Sequence, residues 1–245
     1  MLELLTDPNA WLSLATLVAL EIVLGIDNIL FIAIVSGRLP ERQRPAARRM
    51  GLSIAVLLRI AMLTGIAWIL SLTQPFITVF DFALSWRDLV LGAGGLFLLT
   101  KGTQEIHAEV EGRDEEHGGA AASFTGVILQ IAVLDIVFSI DSVITAVGMA
   151  EHIEIMIAAV VIAIIVMMAA AGPVSDFIHR NPTVKMLGLS FLLLIGVALV
   201  ADAAHFHIPR NYLYFAIAFS GSVEALNVVA AKRRARRKQR QAKAL

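Results

Sequence analysis

The sequence predicts an all-α integral membrane protein of about seven transmembrane helices, arranged as two inverted three-helix repeats with a seventh helix added. Three observations predict this fold. The 245-residue chain is 58% hydrophobic and 16% charged, with mean hydropathy +0.79, against about 45 to 50% apolar and 25% charged in soluble domains. Seven stretches approach the ~20 mostly apolar residues that a span needs. Finally, Ala19-Leu-Glu-Ile-Val-Leu-Gly-Ile-Asp-Asn-Ile29 returns 114 residues later as Val133-Leu-Asp-Ile-Val-Phe-Ser-Ile-Asp-Ser-Val143.

The first span runs near 11 to 36. The residues before it, Met1-Leu-Glu-Leu-Leu-Thr-Asp-Pro, have no basic n-region and no small-residue cleavage site, so no removable signal peptide is expected. Pro40 and Pro45 follow, and a second span near 50 to 71 carries Arg59 and stops before Thr73-Gln-Pro75. In the third, near 88 to 103, Lys101 cuts the apolar run short. His107 to Ala122 is polar and holds Glu109, Glu111, Asp114, Glu115 and Glu116 with His107 and His117. It reads as a solvated linker between the halves; the alternative is an acidic segment that attracts cations. Three more spans lie near 123 to 149, 154 to 174 and 184 to 203, with Asn181-Pro182 before the sixth, and a seventh near 211 to 231.

The chain then divides, within one transmembrane domain, into repeat one (about 11–103), linker (104–122), repeat two (123–203), extra helix (211–231) and basic tail (232–245). Three spans is an odd number, so the second repeat enters the membrane from the opposite side. Orientation follows from basic residues, which cytoplasmic loops hold in excess. Of the 20 Lys and Arg, 17 fall after spans one, three and five or in the tail, while Arg87 and Arg210 fall on the other side. The N-terminus is expected outside and the C-terminus in the cytoplasm. The tail from Lys232 to Arg240 follows a span directly, so it reads as a topology anchor beside anionic lipid, and no nucleic acid is expected as partner.

The repeated run carries the functional argument. Its alignment sets Glu21 on Asp135, Asp27 on Asp141, Asn28 on Ser142 and Thr16 on Gln130. A charged side chain at the bilayer centre costs roughly 2.5 to 3.5 kcal/mol on insertion scales, so four acids at matched places point to one site built by both halves. At 100° per residue Glu21 and Asn28 share a helix face, as do Asp135 and Ser142, while Asp27 and Asp141 lie about 120° round from the first acid. A local unwinding at Gly25 and at the matching Ser139 would turn both carboxylates inward and free carbonyls as ligands. Thr16 shares a face with Asp27, and Gln130 with Asp141.

Arg59 has no acid of its own in span two, so it is expected to neutralise one of the four carboxylates when the site is empty. Span seven sets Ser220, Glu224 and Asn227 on one face, either lining the site or joining the bundle by hydrogen bonds. Lys101, Glu105, His107, Asp202, His205 and His207 fall near interfaces, where snorkelling and solvation explain them; a metal vestibule using His is the alternative. Cysteine is absent, so any metal must be held by oxygen or imidazole.

The runs at 21 to 28 and 134 to 148, Asp7-Pro-Asn-Ala-Trp11, Gly94-Gly-Leu-Phe97 and Val184-Lys-Met-Leu187 resemble the TerC family of integral membrane proteins, in its short, YgdQ-like branch. The resemblance covers nearly the whole chain. It implies a multi-pass bacterial inner-membrane protein related to exporters of lysine and divalent cations, with manganese export assigned to some members.

The expected function is export of a divalent cation, most of all manganese, by alternating access at a midplane carboxylate site. Asp27, Asn28, Asp141 and Ser142 would hold the ion, with Glu21 and Asp135 as second-site ligands or proton acceptors. Gln130, Thr16, Arg59, Glu224 and Asn227 are weaker candidates for lining or relay. An oxygen shell suits Mn, Mg or Ca, and an emptied site of like charges favours proton uptake, so proton exchange is the expected coupling. The ion is cargo, no prosthetic group is expected, and no enzyme activity is expected. Two other classes stay open: a non-transporting scaffold or metal sensor, and an intramembrane aspartyl protease, whose dyad needs two carboxylates about 3 Å apart. Gly92, Gly94, Gly95 and Gly188 permit close helix approach within or between subunits, so an oligomer is open as well.

Overall fold

The computed structural model describes residues 7–79, 82–111, 123–149 and 152–242. Helix α1 (Pro8–Leu24) starts at Asp7, whose carboxylate accepts from the Asn9 amide at 2.9 Å, with Pro8 pre-set for the first turn. It continues as α2 (Ile26–Gly37). Between them the Gly25 amide bonds to Ile22 O at 3.2 Å, so the ladder tightens by one residue at Gly25. No such interruption occurs at Ser139, which lies inside the continuous α6 (Phe124–Met149). The second span is α3 (Arg44–Thr64) and α4 (Ile66–Ser71), broken at Gly65. The chain continues through α5 (Trp86–Val110), α6, α7 (Ile153–Arg180), α8 (Pro182–Ala203) and α9 (Arg210–Ala242).

The connection before α5 departs from an all-helical plan. Strands β1 (Pro75–Val79) and β2 (Phe82–Ser85) pair antiparallel, with Val79 opposite Phe82, and Phe76 stacks on Trp86 at 4.9 Å. The run Phe76-Ile77-Thr78-Val79 is aromatic and β-branched, which favours a strand once Pro75 has stopped the helix. Helix α5 runs past Lys101 to Val110, seven residues into the stretch expected to be linker. Charge ends an apolar span but not a helix.

Among the described residues five helical segments are long and apolar enough to cross a membrane: 8–37, 124–144, 153–180, 182–203 and 211–230. The count expected from sequence was seven. Helices α3 and α5 have the length, 21 and 25 residues, but α3 carries Arg44, Arg48, Arg49 and Arg59, and α5 carries Arg87, Asp88, Lys101 and Glu105.

Helix α5 lies along α8, α1 and α2 pack on α7, and α3 packs on both α6 and α7. Small residues set the closest approach: a Cβ on Gly95 would lie 2.7 Å from Gly196 O, and one on Gly94 would lie 2.5 Å from Val137. These glycines therefore serve contacts within the chain. Ion pairs join Arg38 to Glu105 and Lys185 to Glu109 at one end of the bundle. At the opposite end the hairpin meets the start of α5 and the end of α8, where His205 bonds to Asp88 at 3.2 Å. Helices α5 and α8 thus run antiparallel.

Candidate functional site

Glu21, Asp27 and Asp135 of the repeated run are buried because the helices carrying them face the middle of the bundle. Glu21 sits in the last turn of α1, Asp27 and Asn28 in the first turn of α2, and Asp135 in the middle of α6. Arg59 enters between them from α3. The exposures are 1% for Arg59, 2% for Glu21 and 4% for Asp135, so water screens none of these charges.

One guanidinium serves both matched acids. Arg59 Nη1 donates to Glu21 Oε2, and Nη2 donates to Asp135 Oδ1 at 3.3 Å. Asn28 Nδ2 donates to the same Asp135 oxygen at 3.2 Å. A planar fork presents donors in two directions, which a lysine could not do. Two ionised carboxylates against one guanidinium leave one negative charge uncompensated. Among the described residues Arg59 Nε and Asp135 Oδ2 are buried without a hydrogen-bond partner, so the cluster retains bonding capacity at its centre.

Asp27 faces elsewhere. It lines a small cavity of about 20 Å³ with Phe138 of α6, Ile195 and Asp202 of α8, and Tyr214 of α9. That is room for about one water or ion. The 120° offset from Glu21 predicted this separation, and the interruption at Gly25 does not close it. A Cβ at Gly25 would lie 2.4 Å from Met167 Sδ, so α7 packs directly against the interruption.

The remaining predicted residues are spread through the bundle. Ser142 is buried and donates to Ser139 O at 3.2 Å, within its own helix. Thr16 is exposed and donates to Leu12 O at 2.8 Å. Gln130 lines a small cavity with Lys101 and Glu105, toward the end of the bundle where Arg38 pairs with Glu105. Glu224 accepts from Thr183 at the start of α8 and from Asn227 at 3.4 Å, so this polar stripe docks α9 on α8. The Asp141 side chain lies outside the described residues. Among the described residues, no three His, Cys, Asp or Glu stand close enough together to hold a metal ion.

Two acids were missed as site residues. Asp202 shares the Asp27 cavity and accepts at 3.1 Å from His207, if the proton is on Nδ1. Asp88 forms a capping box with Ser85 and also meets His205. The signal for Asp202 was a carboxylate in a helix that is otherwise uncharged for 16 residues after Lys185; the signal for Asp88 was the Ser-x-x-Asp spacing.

The family profile described as "Integral membrane protein TerC family" matches residues 6–239. The chain belongs to the TerC family. It is 53% identical to the inner membrane protein YgdQ of Escherichia coli (strain K12), over 94% of this chain and 97% of that one. It is 54% identical to a UPF0053 protein of Haemophilus influenzae, over 93% of this chain and 97% of the relative. The E. coli inner membrane protein YoaE is 52% identical over 94% of this chain, but the match covers only 45% of YoaE. This TerC protein therefore covers nearly the whole length of YgdQ and of the H. influenzae relative. No solved structure matches the chain. With five apolar membrane-length helices and relatives named as inner membrane proteins, it is a multi-pass protein of the bacterial inner membrane.

Proposed function

We propose that this TerC protein exports a divalent metal cation, manganese foremost, across the inner membrane by alternating access at its intramembrane carboxylates, in exchange for protons. The observation that carries the proposal is the sharing of Arg59 by Glu21 and Asp135, the matched acids of the two repeated runs. A guanidinium between two carboxylates is a tethered stand-in for a cation. The ion has Asp27 and Asp141 as primary ligands, with Asn28, Ser142 and backbone carbonyls near Gly25 completing an oxygen shell, while Glu21 and Asp135, which share Arg59 in this structure, serve as the second site or as proton acceptors. When the ion leaves, Arg59 and protons restore near-neutrality.

The packing supports two inverted repeats of three spans with α9 added. Exchanging first span for fourth, second for fifth and third for sixth maps α1–α2 on α7 onto α6 on α3, and returns α5 on α8 to itself. Counting α3–α4 and α5 with the five apolar segments gives seven spans. The basic residues at the Arg38–Glu105 and Lys185–Glu109 end then set that end in the cytoplasm and the hairpin outside.

The test is reconstitution in sealed liposomes with an entrapped metal-sensitive dye, with wild type beside Asp27→Asn and Asp141→Asn, with and without a pH gradient. Gradient-sensitive manganese flux lost in both variants supports the proposal. Metal binding without flux points to a scaffold or sensor, and neither binding nor flux across several divalent ions removes the metal reading.

A further inference from the structure

The end of the bundle away from the Arg38–Glu105 pair holds a cleft of about 720 Å³, whose lining includes Ser85, Asp88, His205 and His207. Two imidazoles there are each seated on a carboxylate. His205 Nε2 lies 3.2 Å from Asp88 Oδ2, and His207 Nδ1 lies 3.1 Å from Asp202 Oδ1. Both acids are buried, at 5% side-chain exposure, while the histidines are 44% and 75% exposed. This is the arrangement of metal-binding histidines: one ring nitrogen on a buried carboxylate fixes the tautomer and makes the opposite nitrogen a better ligand.

The backbone gives an independent sign. Phe206 N bonds to Ala201 O at 2.8 Å and His205 N to Asp202 O at 3.0 Å, so α8 ends in a Schellman motif with His205 at the left-handed position. His205 has φ 63°, and among the described residues no other non-glycine has positive φ. Glycine fits that position without strain. Histidine reaches this region more often than most non-glycine residues, but glycine does so at lower cost, so the presence of histidine here is explained if the imidazole is needed at Asp88 and the cleft.

Asp202 joins this cleft to the site described above. It holds His207 and also lines the small cavity of Asp27. We propose that His205 and His207, oriented by Asp88 and Asp202, form an outer capture and release station for a first-row divalent transition-metal ion on the path to or from Asp27. Two imidazoles leave the remaining coordination positions to water, which suits transit over retention. Imidazole disfavours the hard ions Mg²⁺ and Ca²⁺, which the deep oxygen site alone would not exclude, and holds Mn²⁺ most weakly of the first-row divalent ions, which suits transit. The path to Asp27 rests on the transport reading; the metal station does not.

The test uses the full-length chain without a histidine tag, in detergent, titrated with Co²⁺ at about pH 7.5. Visible absorption reports nitrogen ligation of Co²⁺. His205→Gln and His207→Gln should each weaken the wild-type binding step by at least about tenfold, and His107→Gln, at the opposite end of α5, should leave it in place. His205→Gly, which removes the strain at α8, should be at least as thermostable as wild type while losing the binding step. Co²⁺ affinity within about twofold of wild type in the double Gln variant would overturn the station. So would an equal loss of the step in His107→Gln. The same variants in proteoliposomes separate the two readings. His-dependent binding with no flux in wild type leaves the station standing and removes transport; flux with no His-dependent binding does the reverse.

Discussion

Asn28 Nδ2 donates to Asp135 Oδ1 across 3.2 Å, so an amide from one repeated run holds the acid of the other. The two runs lie 107 residues apart at this contact. Glu21 joins the same group of side chains through Arg59. Each run by itself would leave a charge stranded at membrane depth, and their packing gives both acids one shared counter-charge.

Arg59→Gln leaves Glu21 and Asp135 buried without that counter-charge. Breaking a buried pair by removing one partner costs about 3–5 kcal/mol, so thermal unfolding in detergent should fall strongly at neutral pH. Because protonated acids need no counter-charge, the deficit should shrink as the pH is lowered. Arg59→Lys keeps the charge but not the fork, and should lie between wild type and Gln. Equal thermal stability of all three proteins would mean that the cluster is not a folding element.

The Arg38–Glu105 pair gives the contrast. Its Arg38 side chain is 36% exposed, so solvent weakens the pair. Glu105→Gln should cost no more than about 1 kcal/mol in the same unfolding assay, and the loss should diminish further as salt is raised.

Gly95→Ala sets a methyl 2.7 Å from Gly196 O, and backbone cannot swing aside as a long side chain does. Helices α5 and α8 must separate, with a cost of about 1–3 kcal/mol. Gly172→Ala has nothing within 4 Å of the new methyl. It should be neutral or stabilising by up to about 1 kcal/mol through helix propensity. A larger loss for Gly172→Ala than for Gly95→Ala would contradict this account of α5–α8 packing.

Much of this was legible in the residues. The acids of the repeated run stand out because a bilayer makes carboxylates costly, and Arg59 stands out for the same reason, so the burial of Glu21, Asp27, Asp135 and Arg59 follows from charge and depth. The interruption at Gly25 was readable and the continuity at Ser139 was not: Ser139 is a poorer helix former than alanine but does not break a long apolar helix. Thr16 shares a face with Asp27 by periodicity, yet its hydroxyl is satisfied by Leu12 O in the preceding turn and requires nothing from the bundle. Asp202 looked like an interfacial residue because it ends α8. Its place beside Asp27 depends on how α2, α8 and α9 meet, which no local pattern encodes. The hairpin was hidden by brevity, since β1 and β2 are 5 and 4 residues long.

The initial rate of manganese movement into inside-out proteoliposomes, compared between wild type, Asp27→Asn and Asp141→Asn at equal protein density, tests most directly whether the two runs build one cation site. The account predicts that each substitution lowers the rate to that of protein-free liposomes, because neither half holds the ion without the other. A wild-type rate in either variant would contradict it.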